Sequence, residues 1–131
     1  MTEPAPLARK IGMKPGHIVH LRHRPAGWVV PDAPAGCAIA EGDPAGADMT
    51  IAFYRELSRL RSEASDLAAE LDDHAMLWIA WPRRAAGHRS DITDTLARDL
   101  LLSTGLVDVK VAALGADWSG LKFVRRVEHR R

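Results

Sequence analysis

Two short basic runs, Arg22-His23-Arg24 and Arg83-Arg84, each follow an apolar segment, and Ser90 lies a few residues beyond the second. In a parallel sheet, ligands collect outside the carboxyl ends of the strands, where successive connections diverge. Guanidinium groups delivered to such an edge suit an anion, and a helix starting at Ser90 would add backbone amides of the same polarity. Arg22, Arg24, Arg83, Arg84 and Ser90, with Trp81 as a wall, are therefore the candidate ligand-binding residues. The pattern predicts one crevice holding an anionic small molecule. Charge that merely solvates loops between apolar strands is the competing account.

Other constellations are weaker. His17, His20 and His23 would share a face on a helix, but the segment HIVHL reads as a strand. There His17 and His23 stand about 20 Å apart at roughly 3.3 Å per residue, too far for a common ion held at about 2 Å. No metal is expected. His88, Ser90 and Asp91 are neighbours, yet no G-x-S-x-G elbow accompanies them, and Ser90 reads as a helix cap. Ser119, between Trp118 and Gly120, reads as a turn residue. Cys37 sits in the apolar run CAIA and reads as inert core. No catalytic residue is assigned, and no cofactor is expected.

The chain of 131 residues has the length of one domain with a sizeable core, and 47% hydrophobic against 27% charged residues is a soluble composition. Net charge is +1, but it is segregated. Residues 1–40 carry +3, residues 41–73 carry −6 and residues 74–131 carry +4. Nucleic-acid binding calls for a stronger basic footprint and is not expected, although the C-terminal RRVEHRR keeps it as an alternative. No membrane segment is expected, since no run approaches the roughly 20 apolar residues of a span. The start, MTEPAPLARKIG, lacks the apolar core of a secretory signal. A single cysteine forms no internal disulfide, which suits a reducing cytoplasm.

The elements that must position these residues follow from periodicity. Pro6 and Gly12 bracket a short helix with Leu7 and Ile11 on one side, and Met13 folds back on its end. HIVHL is the first strand, and about one helical turn is expected around Gly27 to Val30. Cys37–Glu41 is a short strand, with the turn-rich GDPAGA leading to a third at Met49–Phe53. Six residues barely return to a parallel neighbour, so the second strand is expected to be irregular or reversed.

A long helix from about Tyr54 to Leu71 carries Leu57, Leu60, Ala64, Leu67 and Leu71 as one stripe. Arg55, Arg59, Glu63, Asp66 and Glu70 lie off it, as a solvated face. AMLWIAWP is apolar on both faces, the mark of a central strand. Ser90 or Asp91 caps the next helix, with Ile92, Leu96 and Leu100 at i, i+4 and i+8 and a stop near Gly105. VDVKVAAL alternates, placing Val107, Val109 and Val111 on one face and Asp108 and Lys110 on the other, as an edge strand does. LKFVRRV returns as the last strand. Residues 1–6 and 128–131 are expected to be flexible tails.

This order predicts a single three-layer Rossmann-like α/β domain: a mostly parallel sheet of about six strands closed by a C-terminal antiparallel hairpin. LWIAWP, the capped helix, GLVDVKVAAL and the returning GADWSGLKFVRRV resemble the C-terminal half of class I S-adenosylmethionine-dependent methyltransferases. IGMKPG, WIAWPRR, SDITD, GLVDVKVAAL and WSGLKFVRR together resemble a family of short bacterial proteins, domain-of-unknown-function family 3052, over residues 7–126. That second resemblance implies a fold and no activity. The first implies a cofactor, but such enzymes place a glycine-rich turn after the first strand, where this chain has Arg22-His23-Arg24-Pro25. Glu41, ending the second strand, stands where such folds often hold a ribose hydroxyl. The expected function is a non-catalytic module for an anionic small molecule or a protein partner. The alternative is a diverged S-adenosylmethionine- or nucleotide-dependent enzyme.

Overall fold

The computed structural model describes residues 6–129. The expectation of terminal tails lies outside these residues at 1–5 and 130–131. Val127–His129 forms a short 3-10 turn.

The elements are α1 (Leu7–Ile11), β1 (Ile18–Arg22), β2 (Ala38–Ala40), β3 (Met49–Phe53), α2 (Leu57–Glu70), β4 (Met76–Pro82), α3 (Asp94–Leu102), β5 (Leu106–Ala113) and β6 (Trp118–Arg125). They build one six-stranded sheet in the order β2-β1-β3-β4-β6-β5. β1 pairs parallel with β2 and β3, and β3 with β4. β6 runs antiparallel between β4 and β5. This is the methyltransferase-like Rossmann arrangement, with the apolar AMLWIAWP central and VDVKVAAL at an edge, as the hydrophobic pattern required.

Two cores flank the sheet. On one face Leu60, Ala64, Leu67 and Leu71 of the α2 side and Ala97 and Leu101 of α3 pack on Leu77, Ile79, Leu121 and Phe123. On the other, Ala8, Ile11 and Met13 cover Met49, Ile51 and Trp78. Gly12 ends α1 with a φ of 83°, a left-handed turn that costs glycine least. It folds Met13 back so that its amide reaches the Ala8 carbonyl at 2.9 Å. Buried Trp78 donates its indole N–H to the Ile11 carbonyl at 2.9 Å, fixing α1 to the central strand. Among the described residues no helix is long and apolar enough to cross a membrane.

The structure corrects the sequence reading in five places. β2 is parallel; with only three residues it needs little length to be recrossed. Gly27–Val30 is not helical: prolines at 25 and 31 bracket it, and Gly27 has a φ of 78°. α2 begins at Leu57 because the Tyr54 amide still extends the sheet, bonding to the Ala80 carbonyl at 2.9 Å. Ser90 and Asp91 do not cap α3; Thr93 does, its Oγ1 accepting the Leu96 amide at 3.2 Å. Asp91 instead accepts the Leu57 amide at 2.8 Å, so it caps α2.

The fifth correction concerns β5, whose register shifts between Asp108 and Lys110. A bulge of one residue reverses the facing of everything after it. Asp108 opposes Phe123 and Val111 opposes Leu121, which puts both on the α3 face. Val107 opposes Val124 and Lys110 opposes Lys122 on the α1 face. The three valines do not share a side.

Candidate functional site

β1 and β3 are neighbours, yet the chain leaves β1 for β2 on one side and β3 for β4 on the other. Their carboxyl ends form the switch point at which such sheets open a crevice. Arg22 at the end of β1 donates its Nε to Glu63 at 3.0 Å and Nη1 to Glu70 at 2.8 Å. Tyr54, just beyond β3, donates its hydroxyl to Glu63 at 2.8 Å. Arg59 reaches the other Glu63 oxygen at 3.3 Å. His23 Nε2 lies 2.9 Å from Glu63, and its Nδ1 lies 3.3 Å from Arg59 Nη2. An arginine nitrogen only donates, so in this geometry His23 Nδ1 faces a donor on Arg59 and Nε2 faces the Glu63 carboxylate.

Partial burial would raise the Glu63 pKa, but hydrogen bonds from His23, Tyr54 and Arg59 outweigh it and hold it at about 2. Burial, then the bond to Glu63, pushes the Tyr54 phenol well above its ordinary range. This cluster is an anchor: its carboxylate is saturated with donors, and a general base would need a pKa near the working pH. His23 holds a left-handed φ of 59°, unique among non-glycine described residues. Its two ring bonds keep the strained turn in place.

Clefts open on either side of the residue 23–28 loop. The first, of about 440 Å³, lies at the ends of β1 and β2 and is walled by Leu21, Trp28, Val29, Val30 and Ile39. Arg24 and Glu41 stand at it, their charged groups 3.6 Å apart, and Arg24 also donates to the Trp28 carbonyl at 2.9 Å. The second, of about 250 Å³, lies at the switch point between His23, Tyr54, Arg55, Arg59 and Trp118. Phe53 packs edge-on between Trp28 and Trp118, at 4.8 and 5.1 Å, and the Arg55 guanidinium covers Trp118 at 5.0 Å.

The six sequence-derived site residues separate into different places. Arg22 is consumed by Glu63 and Glu70, and Arg24 lines the β1–β2 cleft. Trp81, Arg84 and Ser90 line a groove of about 310 Å³ with Thr93, Val111 and Ser119. Arg83 anchors its loop through its amide, bonded to the Asp117 carbonyl at 2.8 Å. One crevice shared by the four arginines is not what the fold builds. β3 lies between β1 and β4, so the two loops start two strand spacings, roughly 10 Å, apart.

Ser90 also differs from its expected role. Its Oγ donates to the Arg55 carbonyl at 3.2 Å and accepts the Ile92 amide at 3.1 Å. His88 pairs with Asp117 at 2.9 Å rather than with Asp91. Cys37 is half-buried, its thiol donating to the Lys14 carbonyl at 3.1 Å.

Glu63, Arg59 and Glu70, read from sequence as a solvated face, are the partners that hold the loop after β1. Their spacing of four and seven along one helix is the signal that the sequence offers. What they face is not written there.

The chain has 92% of its length in common with a magnesium protoporphyrin IX methyltransferase (ChlM) from Synechocystis PCC 6803 with bound SAM, at TM-score 0.60 and 11% identity, covering 74% of that protein. A possible exported protein from Bordetella parapertussis matches over 92% of this chain and 65% of its own, at TM-score 0.58 and 13% identity. A putative methyltransferase from Thermoplasma acidophilum matches over 100% and 79%, at TM-score 0.54 and 9% identity. The chain spans 39% of LepI, whose structure is a complex with SAM. The likeness is one of fold, that of class I S-adenosylmethionine-dependent methyltransferases. No protein-family model matches the chain, and no curated protein matches it in sequence.

Whether the residues suit that cofactor is decided at the loop after β1. The first glycine beyond Arg22 is Gly27, and the Arg24 side chain spans the turn between the Trp28 carbonyl and Glu41. The close backbone approach that a glycine turn gives the amino-acid end of S-adenosylmethionine is therefore missing. For a nucleoside, the acidic residue ending β2 and the apolar walls are present. The residues do not fit the whole cofactor.

Proposed function

We propose that this is a diverged protein of the methyltransferase fold that binds a nucleotide in the β1–β2 cleft. The Arg24–Glu41 pair at that cleft carries the reading. It joins an acceptor placed for ribose hydroxyls to a guanidinium where the glycine turn would be. Its side chains are 31% and 55% exposed at 3.6 Å, and an ion pair so exposed is worth under about 1 kcal/mol. A ligand opens it at little cost. The base lies against Leu21, Val29, Val30 and Ile39, Glu41 accepts from the ribose, and Arg24 turns to the phosphate. This anionic ligand gives the fold's crevice a use without its methyl-donor chemistry.

The test is calorimetric titration with ADP, adenosine and S-adenosylmethionine. Saturable ADP binding is expected, weakened roughly tenfold or more by Arg24→Ala, which removes a charge-assisted hydrogen bond. Adenosine binding should survive that change, and Glu41→Ala should weaken both. Absence of ADP binding, or equal binding by the Arg24 variant, would refute the proposal. A second reading, a diverged S-adenosylmethionine-dependent enzyme, is supported by the neighbours' fold and by Glu41. Binding of S-adenosylmethionine in preference to ADP would favour it.

A further inference from the structure

The α1 face of the sheet carries two lysines directly across from each other. Lys110 on β5 and Lys122 on β6 are register partners, and like charges in that position are destabilising. They are there because of the bulge, which turns Lys110 onto the face of Lys122. Both amines converge on the end of α1. Lys110 Nζ donates to the Lys10 carbonyl at 2.6 Å, and Lys122 Nζ lies 3.6 Å from where a side chain on Gly12 would begin.

Lys14 follows Gly12 by two residues, beside the turn that Lys122 approaches, and its charge bears on Lys122. Lys122 is partly buried, and burial, then Lys110 and Lys14, lower its pKa. Every ion pair among the described residues is made by arginine or histidine, and none of these three lysines has one. The carbonyl end of α1 accepts one ammonium proton, which leaves most of the nine donors of the cluster free.

We infer that Lys14, Lys110 and Lys122 form a binding site for a multivalent phosphate anion, separate from the β1–β2 cleft. A tetrahedral anion with several oxygens can bridge ammonium groups that repel one another when empty. Lysine serves such anions as a point charge where arginine would demand a planar fork. The bulge, the cross-strand like-charge pair and the lack of a counter-carboxylate among the described residues then have one explanation.

Inorganic pyrophosphate is the probe, titrated calorimetrically at fixed salt into the parent, Arg24→Ala, Lys110→Gln and Lys122→Met. Saturable binding is expected in the parent and in Arg24→Ala. Each lysine variant should weaken it roughly tenfold, because each removes one charge-assisted hydrogen bond to the anion. Without anion, Lys122→Met should melt no lower than the parent, since it removes a repulsion. No binding to the parent, or equal binding by the lysine variants, would overturn the inference. So would binding abolished in Arg24→Ala, which places the anion in the nucleotide cleft. A Lys122→Met protein that melts lower makes the lysine structural and overturns it as well.

Discussion

Replacing Glu63 by Gln removes the charge on which Arg22, His23, Tyr54 and Arg59 converge, with little change of shape. Its pKa lies at about 2 in the folded protein against an ordinary 4.5. At about 1.4 kcal/mol per tenfold, this difference contributes about 3 kcal/mol to stability. The side chain is 17% exposed, so little of that is given up to solvent screening. Because the folded pKa is depressed, the contribution is fully present above about pH 4.5 and disappears as pH falls toward 2. Urea denaturation of parent and Glu63→Gln should therefore differ by about 3 kcal/mol at pH 7, roughly 10 °C in melting temperature for a chain of this length. The two curves should converge as the pH falls from about 4.5 toward 2. A difference that stays constant across this range would show that Gln disrupts packing rather than charge. A difference below about 1 kcal/mol at pH 7 would show that the cluster anchors nothing.

Thr93→Ala should cost about 1 kcal/mol by chemical denaturation, the usual effect of removing a helix N-cap, and Asp91→Ala a similar amount at the start of α2. A Thr93→Ala protein as stable as the parent would contradict this assignment of caps. Gly120→Ala should destabilise by about 2 kcal/mol, because its Cβ would lie 2.9 Å from the fully buried Leu114 side chain and 3.1 Å from Trp78; a neutral result in a melting experiment would mean that Leu114 moves freely. S-adenosylmethionine at millimolar concentration is expected to give no saturable heat in calorimetry, since Arg24 fills the turn where its amino-acid end would lie.

Local regularities were legible in the chain itself. The period of the α2 stripe and the two apolar faces of AMLWIAWP reflect how a single element meets solvent and core, and the charges within VDVKVAAL mark a strand that meets solvent. They were enough for the element order, the sheet class and the central and edge strands. The Arg24 loop and Glu41 could also be placed at strand ends, because strand ends are marked locally.

What only the tertiary structure decided is which side chains meet across elements. Glu63 reads as a solvated helix residue until α2 is laid over the end of β1, where four donors from other positions reach it. Arg22 and Arg83 look equivalent in sequence, but β3 inserts between their strands and gives them different surroundings. One extra residue in β5 leaves the alternation of residue types untouched and yet moves Lys110 onto the face of Lys122. Periodicity is a property of one segment; charge neutralisation, crevice formation and register depend on distances between segments, which sequence order does not contain.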